Sequence, residues 1–168
     1  MNALRTLTAV LICAAPLCAE NPLVGETKQA YAAAKNNLIK AAEKMPADGY
    51  DFKASPDVRT FGALIGHIAD SQTRSCSAAK GDVKQANASS KTSKDDLVAA
   101  LKASFDECDS ALESLTDTNA TEMIKFRNGQ RSRLGALIAN LVHDNEEYGY
   151  LAVYMRLKGV VPPSSEGR

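Results

Sequence analysis

Tryptophan is absent from this 168-residue chain, which carries only four phenylalanines and five tyrosines. Alanine, leucine, lysine and glutamate dominate instead, a balance that favours helix over strand. Net charge is also missing: 20 basic and 20 acidic residues cancel. A phosphate-binding surface needs clustered positive charge, so nothing here points to nucleic acid. No polybasic tract suits an anionic membrane. The chain lacks a P-loop, a glycine-rich dinucleotide turn and an HExxH zinc motif. No nucleophilic triad can be assembled from its serines and cysteines. There is no strand-like alternation of useful length, no internal repeat and no low-complexity tract. The length suits one domain with a real hydrophobic core.

The N-terminus reads as a secretory signal over residues 1–19. Arg5 supplies the positive region, and Leu7 to Leu17 is an apolar stretch too short to span a bilayer. Small residues follow, and cleavage is expected after Ala19. A lipoprotein reading is weaker, because Leu17 rather than a small residue precedes Cys18. The alternative is an ordinary N-terminal helix. Export implies a periplasmic or secreted protein in an oxidising compartment. Of the four cysteines, only Cys76 and Cys108 would then remain, enough for one intramolecular disulfide.

Residues 20–168 divide into four helical segments. The first runs from Pro22 to Met45, with Asn21 as cap, Tyr31, Leu38, Ala42 and Met45 at helical spacing, and Pro46 as stop. The second starts at Thr60 and continues to Lys80, with Phe61, Leu64, Ile65 and Ile68 forming its apolar stripe. The third opens at Ser93 and ends near Thr116, with the stripe Leu97, Leu101, Phe105, Cys108, Leu112 and Leu115. Residues 117–130 read as a connector with a turn at Asn128-Gly129. The fourth runs from Ser132 to Leu157, closed by Gly159 and Pro162-Pro163. Its strongest stripe is Leu134, Leu137, Ile138, Leu141, Tyr148 and Met155.

An all-α four-helix bundle follows from these lengths. The polar loop over residues 81–92 could reach roughly 40 Å when extended, against about 30 Å for a 20-residue helix. It is therefore long enough to cross the bundle and leave helices two and three parallel. In that case Cys76 and Cys108 share a level and are candidates for a disulfide. In an antiparallel pair they would be offset by roughly 15 Å and remain two buried thiols.

Chemistry centres on the only two histidines. His67 is mid-helix two and His143 mid-helix four, with Glu147 four residues further on. That i, i+4 spacing puts His143 and Glu147 about 40° apart on one face, able to chelate one cation. His67 could complete a three-ligand set suited to Zn, Ni or Fe, with open positions for water or substrate. Periodicity alone does not establish this: His143-Asp144-Asn145-Glu146-Glu147 also reads as a solvated polar face, opposite the apolar stripe. Asp70, one turn after His67, is either a second carboxylate orienting the imidazole or a surface acid. Arg74, Arg133, Asn140 and Tyr154 are candidates to line a pocket.

Three segments resemble the DinB/YfiT-like family. Arg59 to Asp70, reading RTFGALIGHIAD, resembles its second helix; Leu141 to Gly149, reading LVHDNEEYG, resembles its last-helix motif; Tyr154 to Ser165 is similar to the end of a subgroup. The resemblance covers about residues 22–165. It implies a four-helix bundle with a three-histidine site for Zn or Ni, common dimers, and, in some relatives, S-transfer with low-molecular-weight thiols. His67 and His143 match two ligands. The third falls at Glu147, where the family pattern has histidine, so the site is either a two-histidine, one-carboxylate centre or a decayed one.

Two expectations of different class follow. One is an exported protein binding one divalent ion (Zn or Ni, with Fe or Mn as further candidates) and acting on a small molecule as a metal-dependent transferase or hydrolase. The other is a non-catalytic helical bundle, binding or structural, whose metal site has lapsed. Both are compatible with a homodimer, and with no membrane association once the signal is cleaved.

Overall fold

Local chemistry sets where each helix begins. In the computed structural model, which describes residues 21–167, the four helices are α1 (Pro22–Lys44), α2 (Phe61–Lys80), α3 (Lys94–Glu113) and α4 (Arg133–Leu157). The expected signal segment lies outside the described residues. Asn21, Thr60, Ser93 and Ser132 each turn a side-chain oxygen onto a backbone N–H of the first turn, satisfying donors that the helix itself cannot. Gly81, directly after α2, and Gly159, two residues after the end of α4, take left-handed φ values of 91° and 73°, the conformation that ends a helix without a Cβ penalty.

Contacts at the helix ends fix the topology. Gly62, early in α2, lies beside Leu97, early in α3, and Lys80 at the end of α2 bonds Ser110 and Glu107 late in α3. Helices α2 and α3 are therefore parallel. Tyr31 of α1 donates to Phe105 O of α3, while Lys94 donates to Glu43 O and Met45 O, so α1 is antiparallel to α3. Arg133 at the start of α4 donates to Ala79 O, and Tyr154 near its end donates to Arg59 O, so α4 is antiparallel to α2. The long connection expected between α2 and α3 is the crossover that this order requires.

That crossover is pinned to α2. One turn of 3-10 helix at Ala88–Ser90 packs where Gly66 has no side chain; a Cβ there would meet Ala88 O and Ser89 Cα at 3.1 Å. One turn on, both Asp70 oxygens accept hydrogen bonds from the crossover, from Ala88 N at 2.6 Å and from the Ser89 N–H and hydroxyl. Burial alone would raise the Asp70 carboxyl, but these bonds outweigh it and hold the pKa below the ordinary value. Asp70 is thus corrected from an imidazole-orienting group to the clamp of the crossover.

The core is the apolar stripes facing one another. Leu38, Met45, Phe61, Ile65, Ile68, Leu97, Leu101, Phe105, Leu151 and Met155 are fully buried. Fifteen of the twenty residues of α2 are buried, which makes it the central helix. Ile138 departs from expectation: it is exposed among the described residues.

Sequence reading also missed a hairpin. Strands β1 (Met123–Phe126) and β2 (Gly129–Ser132) pair antiparallel, Phe126 opposite Gly129. The central turn residues are Arg127 and Asn128, one position earlier than the Asn128-Gly129 turn expected. Four-residue strands with one buried side chain, Phe126, are too short to register as alternation.

Cys76 and Cys108 are bonded to each other, with 4.9 Å between their Cα atoms. They lie on the facing stripes of the parallel pair, both buried. The bridge closes a loop of 32 residues that includes the crossover. Unreduced protein should show no free thiol by mass spectrometry, and Cys76→Ser should lower stability by about 2–4 kcal/mol. Two alkylatable thiols in the unreduced protein would contradict the bridge.

Candidate metal centre

Helices α2 and α4 carry the ligand candidates to one point. His67 Nε2 lies 3.1 Å from His143 Nε2. Glu147 Oε1 lies 3.5 Å from each of these nitrogens. Two ligand atoms of a regular tetrahedral site with bonds of about 2.1 Å are about 3.4 Å apart. The three donors therefore have the spacing of one tetrahedral face, and among the described residues they are the one His/Cys/Asp/Glu group close enough to hold a metal ion.

Electrostatics favours the same reading. Burial, then the charges of Arg59 and of nearby His143 and Arg74, lowers the His67 pKa, so this imidazole is neutral at physiological pH and offers a lone pair. Glu147 is only 6% exposed, and burial pushes its carboxyl upward against the weaker pull of His143 and Arg59. Its Oε2 is buried with no hydrogen-bond partner, as is His143 Nδ1. Such orphaned atoms cost stability in the bare protein. A cation held by the two Nε2 atoms and Glu147 Oε1 would offset the buried charge of that carboxylate.

The face that looked solvated is half interior. Asp144 is fully buried, with Oδ2 accepting from Asn140 Nδ2 at 3.0 Å and Oδ1 lying 4.0 Å from His143 Nδ1. Burial raises the Asp144 carboxyl. Sequence reading did not single out Asp144; its signal was a lone Asp beside the candidate ligand. Asn140 supports Asp144 inside the bundle rather than lining the pocket. Tyr154 is tied to Arg59 O and faces a separate cleft with Asp57, Val58, Leu64 and Tyr150. Arg133 is also structural, held by Ala79 O and Glu122.

The triad opens on a cavity of about 530 Å³ lined by His67, Ser71, Arg74, Arg127, Asn128, His143 and Glu147. Ser71 and Arg74 follow His67 at i+4 and i+7, one continuous helical face. Arg127 and Asn128 come from the hairpin tip, which no spacing argument connected to the histidines. The arrangement can hold one cation against the helices and a small molecule above it.

A family model described as the DinB superfamily matches residues 30–151. Among solved structures, the chain is similar to a DinB-like protein from Bacillus cereus, with TM-score 0.74, 18% identity, and 83% of this chain and 95% of that one covered. It is similar to a DinB-like protein from Bacillus subtilis, with TM-score 0.65, 21% identity, and coverage of 83% and 92%. A conserved protein from Enterococcus faecalis gives TM-score 0.65 at 14% identity, covering 80% and 95%. At these identities the likeness is one of fold. No curated protein matches the chain.

A raised glutamate pKa means that the fold prefers the protonated form. Its contribution to stability is fully present below the ordinary glutamate range and is lost as pH rises through the raised value. In chelator-treated protein at pH 8, Glu147→Gln should therefore be more stable than wild type, by about 1 kcal/mol or roughly 2–4 °C in Tm. The difference should shrink toward pH 4. A less stable variant at pH 8 would contradict the unpaired, buried carboxylate.

Proposed function

The chain belongs to the DinB superfamily, and from that premise we propose that it is an exported, metal-dependent enzyme acting on a small molecule, with His67, His143 and Glu147 holding one divalent ion. The observation that carries the reading is the donor triangle, two imidazole nitrogens and one carboxylate oxygen at 3.1–3.5 Å, on the wall of an open cavity. Nitrogen-rich borderline donors suit Zn or Ni before Mn or Mg. When bound, such an ion supplies a Lewis acid that lowers the pKa of water or of a thiol.

The chain's own residues set the conditions for that chemistry. Neutral His67 presents its lone pair without competition from a proton. Glu147 contributes a negative charge where three imidazoles would contribute none, making the site harder and less cationic. Burial of Glu147 against the bundle keeps bulk water from one side, while Ser71 and Arg74 line the cavity on the other. The disulfide across α2 and α3 suits an oxidising compartment. Hydrolysis fits export better than thiol transfer does, because low-molecular-weight thiol cofactors are scarce outside the cytosol.

Elemental analysis of protein purified without a histidine tag tests the reading. Wild type should carry close to one equivalent of Zn or Ni per chain, and His143→Ala should carry none. Metal-free wild type that stays empty after reconstitution would overturn the proposal and leave the non-catalytic bundle.

A further inference from the structure

The metal cavity does not end at the metal. Arg74 and Arg127 also line a second cavity of about 330 Å³, whose other walls are Ser75, Ala78, Val83, Lys125 and Phe126. The two arginines thus form the shared wall between a polar chamber with the donor triangle and a largely apolar one. A ligand crossing that wall meets, in order, the metal donors, two guanidinium groups and an apolar surface.

Three observations make this wall a binding feature. First, neither guanidinium group is locked in a close ion pair: Arg74 interacts with Asp70 through space, and Arg127 meets the Phe126 ring. Among the described residues, Lys35, Lys44, Lys80, Lys84, Lys102 and Arg133 each sit within 4.0 Å of a carboxylate, whereas no such pair involves Arg74 or Arg127. In a chain of zero net charge, two arginines beside Lys125 make a local positive field, tempered by Asp70, whose carboxylate interacts with Arg74, and by Glu147 in the adjoining chamber. Second, Arg127 sits at φ 53°, a left-handed conformation uncommon for residues other than glycine and asparagine. Asn128 and Gly129 are the next two residues, yet the hairpin register puts Arg127 there. The guanidinium lies 5.4 Å from the Phe126 ring centroid, so the buried Phe126 anchors the tip beside it. Third, Val83 is 66% exposed, an apolar side chain left in the mouth of the second chamber by the crossover.

We propose that this site takes a small amphipathic oxyanion, its carboxylate or phosphate held between Arg74 and Arg127 and its apolar portion lying in the Ala78, Val83 and Phe126 chamber. Guanidinium groups match planar oxyanions through paired N–H donors. The apolar chamber selects against fully hydrated anions such as acetate. This inference deepens the proposed function and rests on it for the reaction, since the acid group would be placed next to the metal donors. The oxyanion site itself is made by residues outside the triad.

The test uses octanoate, octyl phosphate, octylammonium and acetate as probes, with binding followed by calorimetry on the full mature chain in both metal-free and metal-loaded forms. Octanoate or octyl phosphate should bind both forms, with octylammonium and acetate at least about tenfold weaker. Whichever of the two anions binds tighter names the acid group. Arg74→Ala and Arg127→Gly should each weaken that anion by about tenfold or more; glycine at 127 also relieves the left-handed backbone, so the variant keeps its fold. Val83→Ser should weaken the octyl ligand and leave acetate unchanged. Equal binding of octylammonium, or octyl-anion affinity unchanged in both arginine variants, would overturn the proposal. Octyl anions that bind only the metal-loaded form would also overturn it, while leaving the metal centre intact. Octyl-anion binding to a protein that takes up no metal would uphold this site and remove the metal reading.

Discussion

The antiparallel register of α2 against α4 is the constraint on which the site depends. It is held at both ends, by Arg133 on Ala79 O and by Tyr154 on Arg59 O. Counting inward from either tie, the position of α4 opposite His67 falls at about residue 145, midway between His143 and Glu147. One imidazole from α2 therefore enters the gap between two candidate ligands one turn apart on α4. A slip of a full turn, about 5.4 Å, would separate the donors beyond any common cation. The aromatic and guanidinium ties at the helix ends are thus as much a part of the donor triangle's geometry as its three side chains.

The rest of the fold protects that register. Helix α2 must be approached on nearly all sides, and the parallel α3 needs a crossover that would otherwise be a long, loose strap. Gly66 lets the strap lie against the helix and Asp70 fastens it, one residue before and three residues after His67. The Cys76–Cys108 bridge joins the far halves of the same two helices. The hairpin then closes the remaining side and brings Arg127 and Asn128 over the cavity. Structure spent around His67 is matched by cost at Glu147 and Asp144, whose buried carboxyls both have raised pKa values. Such a balance is characteristic of sites built for a ligand rather than for stability.

Much of this was legible in the sequence because it is local. Asn21, Thr60, Ser93 and Ser132 cap where their side-chain chemistry says they should, and the stripes of α1, α2 and α3 are buried as their spacing implies. The long loop before α3 had the reach of a crossover, but reach alone left the antiparallel arrangement open. What could not be read depends on neighbours. Asp70 has the spacing of an imidazole partner, but its direction is set by a loop eighteen residues away. Ile138 has the periodicity of a core residue, yet among the described residues it is exposed. The run from His143 to Glu147 has solvated composition, and only packing against α2 shows that Asp144 and Glu147 are interior. The hairpin has too few residues per strand to produce a pattern, so Arg127 and Asn128 had no signal linking them to the histidines.

In the proposed centre Glu147 is the third donor, at the position where the resemblance expects a third imidazole. X-ray absorption at the metal edge of the reconstituted protein tests it most directly. The expected result is a first shell of nitrogen and oxygen at about 2.0–2.1 Å, with outer-shell scattering from two imidazoles, and loss of one oxygen ligand in Glu147→Gln. A shell with one imidazole or none, or a spectrum unchanged by the Glu147 substitution, would contradict it.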